Sequence, residues 1–348
     1  MILHKEKNMN KINAIIASLA LSGVAAAGEQ EMDVLDRVQI DAATRASLKP
    51  EWMSMRLGGF LQTGWQYSNG GDLPAENGFF VQRARLELSG DMSDESMSYQ
   101  VAGEWSDSTG SFDLIDANLT LRMFDFANVR VGRFVSSFYN GFVDDPTQLT
   151  TKNYSVSALT FGQGRGDGVE LFRTFDNWTV SAFYNNGFDN LGGVGSNNYA
   201  LGIVGSYYFG DGLYAGGGFA SNSVGSETVN NLTGNVTYIS GPWDASVDFI
   251  INNEGVDFDN WSLVSTVGYQ CMDDFQGFAQ WEWGQYDGNL NILTVGGNYD
   301  LAENLVWTNS IGLAMNTLGS NFVTDNTGWR AGSGGGQWVA RSVITFSF

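Results

Sequence analysis

Trp338-Val339-Ala340-Arg341-Ser342-Val343-Ile344-Thr345-Phe346-Ser347-Phe348 sets Trp338, Ala340, Ser342, Ile344, Phe346 and Phe348 against Val339, Arg341, Val343, Thr345 and Ser347, and the sequence ends on the last aromatic. Period-two alternation of this kind reads as a strand with one face toward lipid. The terminus of a soluble domain usually frays in polar residues, whereas a closed barrel in a membrane must pair its last strand with its first and leave no edge. The stretch therefore predicts an all-β fold, a transmembrane antiparallel β-barrel, which the remaining sequence tests.

Composition agrees with a barrel. The 348 residues include Gly 45, Trp 11, Tyr 13, Phe 23 and Pro 4, as expected of many glycine-punctuated strands with aromatic ends. After residue 27 no apolar run is long enough for a helical span. A barrel remains open, because its strands alternate and leave the mean hydropathy near that of a soluble protein. The beginning reads as a secretory signal over residues 1–27, with Lys11, an apolar core from Ile12 to Val24, and Ala25-Ala26-Ala27 as the cleavage site. Met9 is an alternative start to Met1. Cleavage removes three of 17 basic and one of 38 acidic residues, leaving 14 against 37 and a formal charge of −23.

Cys271 is the sole cysteine, expected in a turn, and it leaves no internal disulfide or Cys-cluster metal site. His4 is the sole histidine and lies in the removed segment. A Ser-His-Asp hydrolase or a His-ligated metal site would lack its central residue, which argues against an enzyme. No cofactor or nucleic-acid partner is implied, and Gly162-Gln163-Gly164-Arg165-Gly166 lacks the strand-to-helix context of a phosphate-binding loop.

Residues 28–54 differ in character from the remainder of the chain, being charged and glycine-poor from Glu31 to Leu48, and read as a periplasmic segment with a short helix or as a linker. The barrel is expected over residues 55–348. Alternating segments there recur at about the 9–11 residues that a tilted strand needs to cross the membrane. In the first, Leu57, Gly59, Leu61, Thr63, Trp65 and Tyr67 oppose Arg56, Gln62 and Gln66; in the second, Ala84, Leu86 and Leu88 oppose Arg83, Arg85 and Glu87. In the fourth, Ile115, Ala117, Leu119 and Leu121 oppose Asp116, Asn118, Thr120 and Arg122. Continued to the terminus, the pattern gives about sixteen strands, an even number as bacterial single-chain barrels require. Connection lengths segregate by parity. From a periplasmic N-terminus the even-numbered connections are short, and the odd ones include the long stretches Ser136–Asp167, Asn186–Asn198 and Asn316–Gln337. A soluble sandwich has no reason to sort its turns this way.

A barrel of this size leaves an aqueous channel. The expected inward positions, such as Gln62, Gln100, Asn118, Ser181, Asp248, Gln280 and Glu282, are polar or small. Charge on the lipid face at mid-depth costs about 2–4 kcal/mol, so the strand charges should face the lumen or the interfaces. The candidate pore lining is Arg56, Arg83, Arg85, Glu87, Glu104, Asp116, Arg122 and Arg130, either as a basic ladder or as ion pairs across neighbouring strands. The third surface loop, Ser136–Asp167, is too long for a hairpin. Folded inward it would narrow the lumen, with Tyr139, Asp144, Asp145, Lys152 and Arg165 as candidate constriction residues beside Phe142 and Tyr154.

Phe79-Phe80-Val81-Gln82-Arg83-Ala84-Arg85-Leu86-Glu87-Leu88-Ser89-Gly90 resembles the phosphate-selective porin family of bacterial outer membranes, as do Asp113–Leu119 and Val129–Phe134. The resemblance covers mainly residues 55–175. It implies a sixteen-stranded homotrimeric diffusion channel in outer-membrane lipid, with an inward third loop. It does not carry phosphate selectivity, because the phosphate-specific members have a lysine-rich lumen and Lys152 is the one lysine of the barrel region. The expected function is passive diffusion of small hydrophilic solutes or ions. The alternative is a closed barrel whose long loops bind a partner.

Overall fold

The computed structural model describes residues 53–348 apart from 71, 93, 107–109, 123, 140–145, 163, 188–197, 225–226, 255–256, 287 and 333–334. The expected signal segment, residues 1–27, and nearly all of residues 28–54 lie outside the described residues.

Sixteen strands form one closed antiparallel barrel in sequence order. They are β1 (Arg56–Gly70), β2 (Leu73–Asp91), β3 (Met97–Ser106), β4 (Ser111–Leu121), β5 (Asn128–Val135), β6 (Arg165–Phe175), β7 (Trp178–Asn185) and β8 (Tyr199–Gly210). The second half comprises β9 (Leu213–Val224), β10 (Glu227–Ser240), β11 (Trp243–Glu254), β12 (Asp257–Met272), β13 (Phe275–Gln285), β14 (Asn289–Ala302), β15 (Leu305–Ala314) and β16 (Gln337–Ser347). The terminal stretch closes the ring: β16 pairs with β1 from Phe60↔Ser347 to Asn69↔Trp338, and Phe348 exchanges backbone hydrogen bonds with Gly59 at 3.1 Å. No strand edge is left to face lipid, where an unpaired backbone group would cost several kcal/mol.

The even-numbered connections are the short ones expected. Asp211-Gly212 joins β8 to β9 with both residues at positive φ, 49° and 82°, the conformation a two-residue type I′ hairpin demands. A Cβ on Gly212 would lie 1.8 Å from the Ile239 carbonyl, so glycine is required there. In the β2–β3 turn, Asp94 accepts hydrogen bonds from Ser96 Oγ (2.7 Å) and N (3.0 Å), which hold its carboxyl below its usual pKa. Cys271 lies in β12, exposed near its end, and not in a turn, because that strand runs on to Met272, three residues past the Tyr269 at which its alternation ends.

Outward side chains form aromatic contacts at strand ends: Trp178 with Tyr207 at 4.7 Å and Trp243 with Tyr269 at 4.6 Å near the short turns, and Trp261 with Trp283 at 4.9 Å at the other end. Amphipathic rings favour the two headgroup levels. Two bulges change which residues face inward. One between Gln62 and Thr63 on the β1–β2 ladder adds Gln82, so that Gln82, Arg83 and Arg85 are all buried. The other, on the β3–β4 ladder, makes Ile115 the extra residue, so that Phe112 and Leu114 face out with Leu119 while Asp116 and Asn118 face in. The single-phase alternation expected for this strand therefore fails above Ile115.

Candidate functional site

The described part of the connection 136–164, loop L3, runs into the barrel. Its helix α1 (Val156–Phe161) is capped by Ser155, whose hydroxyl accepts from Ala158 N at 2.9 Å. Polar tethers tie the loop to opposite walls. Gln62 Nε2 donates to the Lys152 carbonyl (2.9 Å) and Gln82 Nε2 to Asn153 Oδ1 (2.6 Å). Across the lumen, Thr150 Oγ1 donates to Asp244 (2.7 Å), Asn298 Nδ2 to the Thr150 carbonyl (2.7 Å), and Ser157 N and Oγ to Glu282 Oε2 (3.0 and 3.2 Å).

A second loop, L8 (residues 315–336), folds over the same space. Val323 N donates to Thr160 Oγ1 at 2.9 Å, and Phe322 meets Phe161 edge-on. Arg330 Nη1 donates to the Pro74 carbonyl at 2.7 Å and lies 3.7 Å from Glu76, clamping the loop to the top of β2. The sequence alone offers this loop as a surface for an external partner. Its inward signal is the aromatic pair Phe322 and Trp329, which have apolar partners inside: Leu290, Ile292, Ala314 and Val339 from the wall, and Val156 and Phe161 from α1. The expectation of a uniformly polar lining is thus corrected. The wall beneath the two loops is apolar, because it packs against a loop core and not against water.

The candidate pore-lining residues fall into four places. Arg83 and Arg85 share Glu104, with contacts of 3.8 and 2.7 Å, and their guanidinium groups lie over the rings of Tyr154 and Phe60. Glu87 stands on the same face of β2, further toward the short turns and half-buried. Arg56 and Arg122 both meet Asp91, at 3.0 and 3.2 Å, at the rim beside the short turns and largely in solvent. Arg130 lies 3.4 Å from Glu170 and over Phe134 and Phe172. Asp116 binds Arg165, which is the first residue of β6 and not part of the loop, so its placement among the constriction residues is corrected: it anchors the loop's end to β4 at 3.3 Å. Tyr139 is buried, and desolvation, with Asp248 and Glu282 adding to it, holds its phenol well above the usual pKa. Lys152 donates to the Thr147 carbonyl within the loop at 2.8 Å. Phe142, Asp144 and Asp145 lie outside the described residues.

Arg341 is a site residue that the strand pattern does not single out. It stands inward on β16, donates to Gln82 Oε1 at 3.1 Å and covers the Phe80 ring at 4.9 Å. Among the described residues no carboxylate is within ion-pair distance of it. Two cavities meet there. The vestibule beneath L8, of 440 Å³, is lined by Gln66, Glu76, Asn326 and Arg330, and the narrow recess below, of 60 Å³, by Gln82, Lys152, Gln280 and Glu282; Trp329 and Arg341 line both. The signal is present in the terminal stretch, where Arg341 is the one charge on the inward face of the last strand.

This closed antiparallel barrel has known counterparts. The family described as Gram-negative porin matches residues 14–317. The chain is a Gram-negative porin. It is an outer-membrane diffusion channel and not an enzyme. Solved porins share the fold: the anion-selective porin from Comamonas acidovorans (TM-score 0.64, 16% identity over 85% of this chain and 100% of that one) and OmpT of Vibrio cholerae (0.61, 15%, 86% and 99%). OmpF of Salmonella typhi, solved with daunomycin, superposes with a TM-score of 0.66 at 13% identity, covering 84% of this porin and 97% of that chain. No curated protein matches the sequence significantly. The resemblance noted in the sequence therefore holds at the level of a porin.

Proposed function

We propose that this porin is a tightly constricted channel that passes small hydrophilic solutes and prefers anions. The carrying observation is Arg341, a cation with no carboxylate at ion-pair distance among the described residues, lining both the vestibule and the recess beneath it. Arg83 and Arg85 stand behind it with Glu104 between them, so their charge is partly offset. Glu282 also lines the recess, but its carboxylate is engaged by Ser157. An anion crossing the neck therefore meets the positive end of the local field in a setting where water is scarce and charges are weakly screened. A recess of 60 Å³ holds a few waters, since one needs about 10–15 Å³ on this measure. Passage is accordingly limited to small solutes unless L3 or L8 shifts.

Phosphate is expected to pass as one small anion among others. A site selective for it needs several converging donors, and the neck offers Arg341 and Lys152. Trimeric assembly is proposed as well. OmpT of Vibrio cholerae is described in a trimer form, and light scattering of the folded protein in detergent checks the count here.

The deciding measurement is the reversal potential of single channels in a planar bilayer under a KCl gradient. The expected sign is that of chloride preference, and Arg341→Gln should bring it toward zero or to the cation side. Cation preference in the unaltered protein, unmoved by Arg341→Gln, would sink the proposal.

A further inference from the structure

A separate recess lies beneath the start of L3, toward the ends of β5 to β10 that carry the short turns. Its volume is 210 Å³, below the range of drug-sized ligand pockets and suited to one small solute. The recess is lined by Thr179, Ser181, Ser206 and Asn235, which carry hydroxyls and an amide, and by the aromatic Phe138 and Phe172.

The wall at this level has an unusual composition. Gly216-Gly217-Gly218 occupies the middle of β9, and glycine inside a strand weakens it and often marks close approach by a ligand or another backbone. A Cβ on Gly216 would lie 2.7 Å from Asn235 Oδ1, and one on Gly218 would lie 2.9 Å from Val204 Cγ2. The glycines thus let the lining side chains lie flat and leave the recess open.

Ser181 supplies a second, independent observation. It is 5% exposed, it lines the recess, and its buried Oγ has no hydrogen-bond partner among the described residues. A buried hydroxyl left unpaired costs about 1–3 kcal/mol, so the site has unmet capacity to donate and accept. The charge of Arg130, which also faces the recess, is balanced by the fully buried Glu170 at 3.4 Å.

We infer that this recess binds a neutral polyhydroxylated solute the size of one sugar ring. Its hydroxyls meet Thr179, Ser181, Ser206 and Asn235, and its apolar face lies against Phe138 and Phe172. The balanced Arg130–Glu170 pair gives an anion no advantage. This goes beyond passive diffusion: the channel holds a solute on the far side of its neck.

Saturation-transfer NMR on the folded full chain in detergent micelles tests this, with D-glucose as the neutral probe and D-gluconate as its anionic counterpart. Transfer to glucose is expected, with affinity weakened roughly two- to tenfold by loss of one hydrogen bond in Ser181→Val. The milder Ser206→Ala, which trims one atom from the wall, should weaken it similarly if Ser181→Val fails to fold. Three outcomes would each overturn the site: no transfer from folded protein, undiminished transfer in both variants, or a preference for gluconate that Arg130→Gln abolishes. The readout does not depend on conductance, so its failure leaves the channel reading standing.

Discussion

Arg133 shows how far a single residue can depart from the rule that strand charges face the lumen. It shares the outward face of β5 with Val131, and its register partner on β6 is Asp167, which shares the outward face with Leu171. The two meet on the outer wall at 2.8 Å and 3.1 Å, and Arg133 Nη1 also donates to the Leu114 carbonyl, next to the bulge at Ile115. Their side chains are 18% and 34% exposed, so solvent and headgroups screen the pair in part and its net worth is modest. Breaking it is another matter, because the remaining charge stays on the outer face. Asp167→Leu should destabilise the barrel more than Arg133→Leu, since an unpaired arginine costs more against lipid than an unpaired carboxylate. We expect about 1–3 kcal/mol for the worse variant and recovery of most of it in the double variant. Urea unfolding of the protein in vesicles, run as a double-mutant cycle, measures this; additive losses would show that the pair is not coupled.

At the scale of elements, the strands are legible in the sequence and the inward loops are legible in part. Period-two alternation and the parity of connection lengths fix sixteen strands, because each strand must present an apolar face at a set spacing whatever its neighbours do. Bulges escape such a reading: Gln82 and Ile115 are ordinary residues for a strand, and the extra residue is decided by the partner strand's register. L3 is recognisable by length alone. What holds it is long-range, with Glu282 on β13 bound to Ser157 at the first turn of α1, residues that nothing local connects. L8 escapes the sequence for the same reason, since its packing partners are strand residues that read as an undifferentiated lining. Glu282 therefore carries a prediction for the element. Glu282→Ala removes the acceptor for two L3 donors and should let α1 leave the β12–β13 wall. Single-channel conductance is expected to rise and its open-state noise to increase; an unchanged trace would show that the apolar contacts of Phe161, Phe322 and Tyr286 hold the loop without the tether.

The whole molecule sets two fields of opposite sign in series. The formal charge of the sequence is −21, and acidic groups such as Asp72, Glu76, Asp113 and Asp325 stand at or near the surface end, in loops and strand ends, while the neck below them carries Arg341. An approaching anion is repelled at the mouth and attracted at the neck, and the two effects differ in their exposure to salt. Charges on the loops are screened over about 10 Å at 0.1 M ionic strength and about 30 Å at 0.01 M, whereas charges inside a narrow recess are screened much less. Raising salt should therefore remove the repulsion first. Anion preference, measured as the chloride-to-potassium permeability ratio at a fixed gradient, is expected to increase between 0.01 M and 0.1 M. That direction is opposite to the decline shown by a channel whose anion selectivity resides in basic surface charge. A ratio that starts below one and rises only toward one would place the selecting charge at the acidic mouth, and Arg341→Gln would then leave the ratio unchanged.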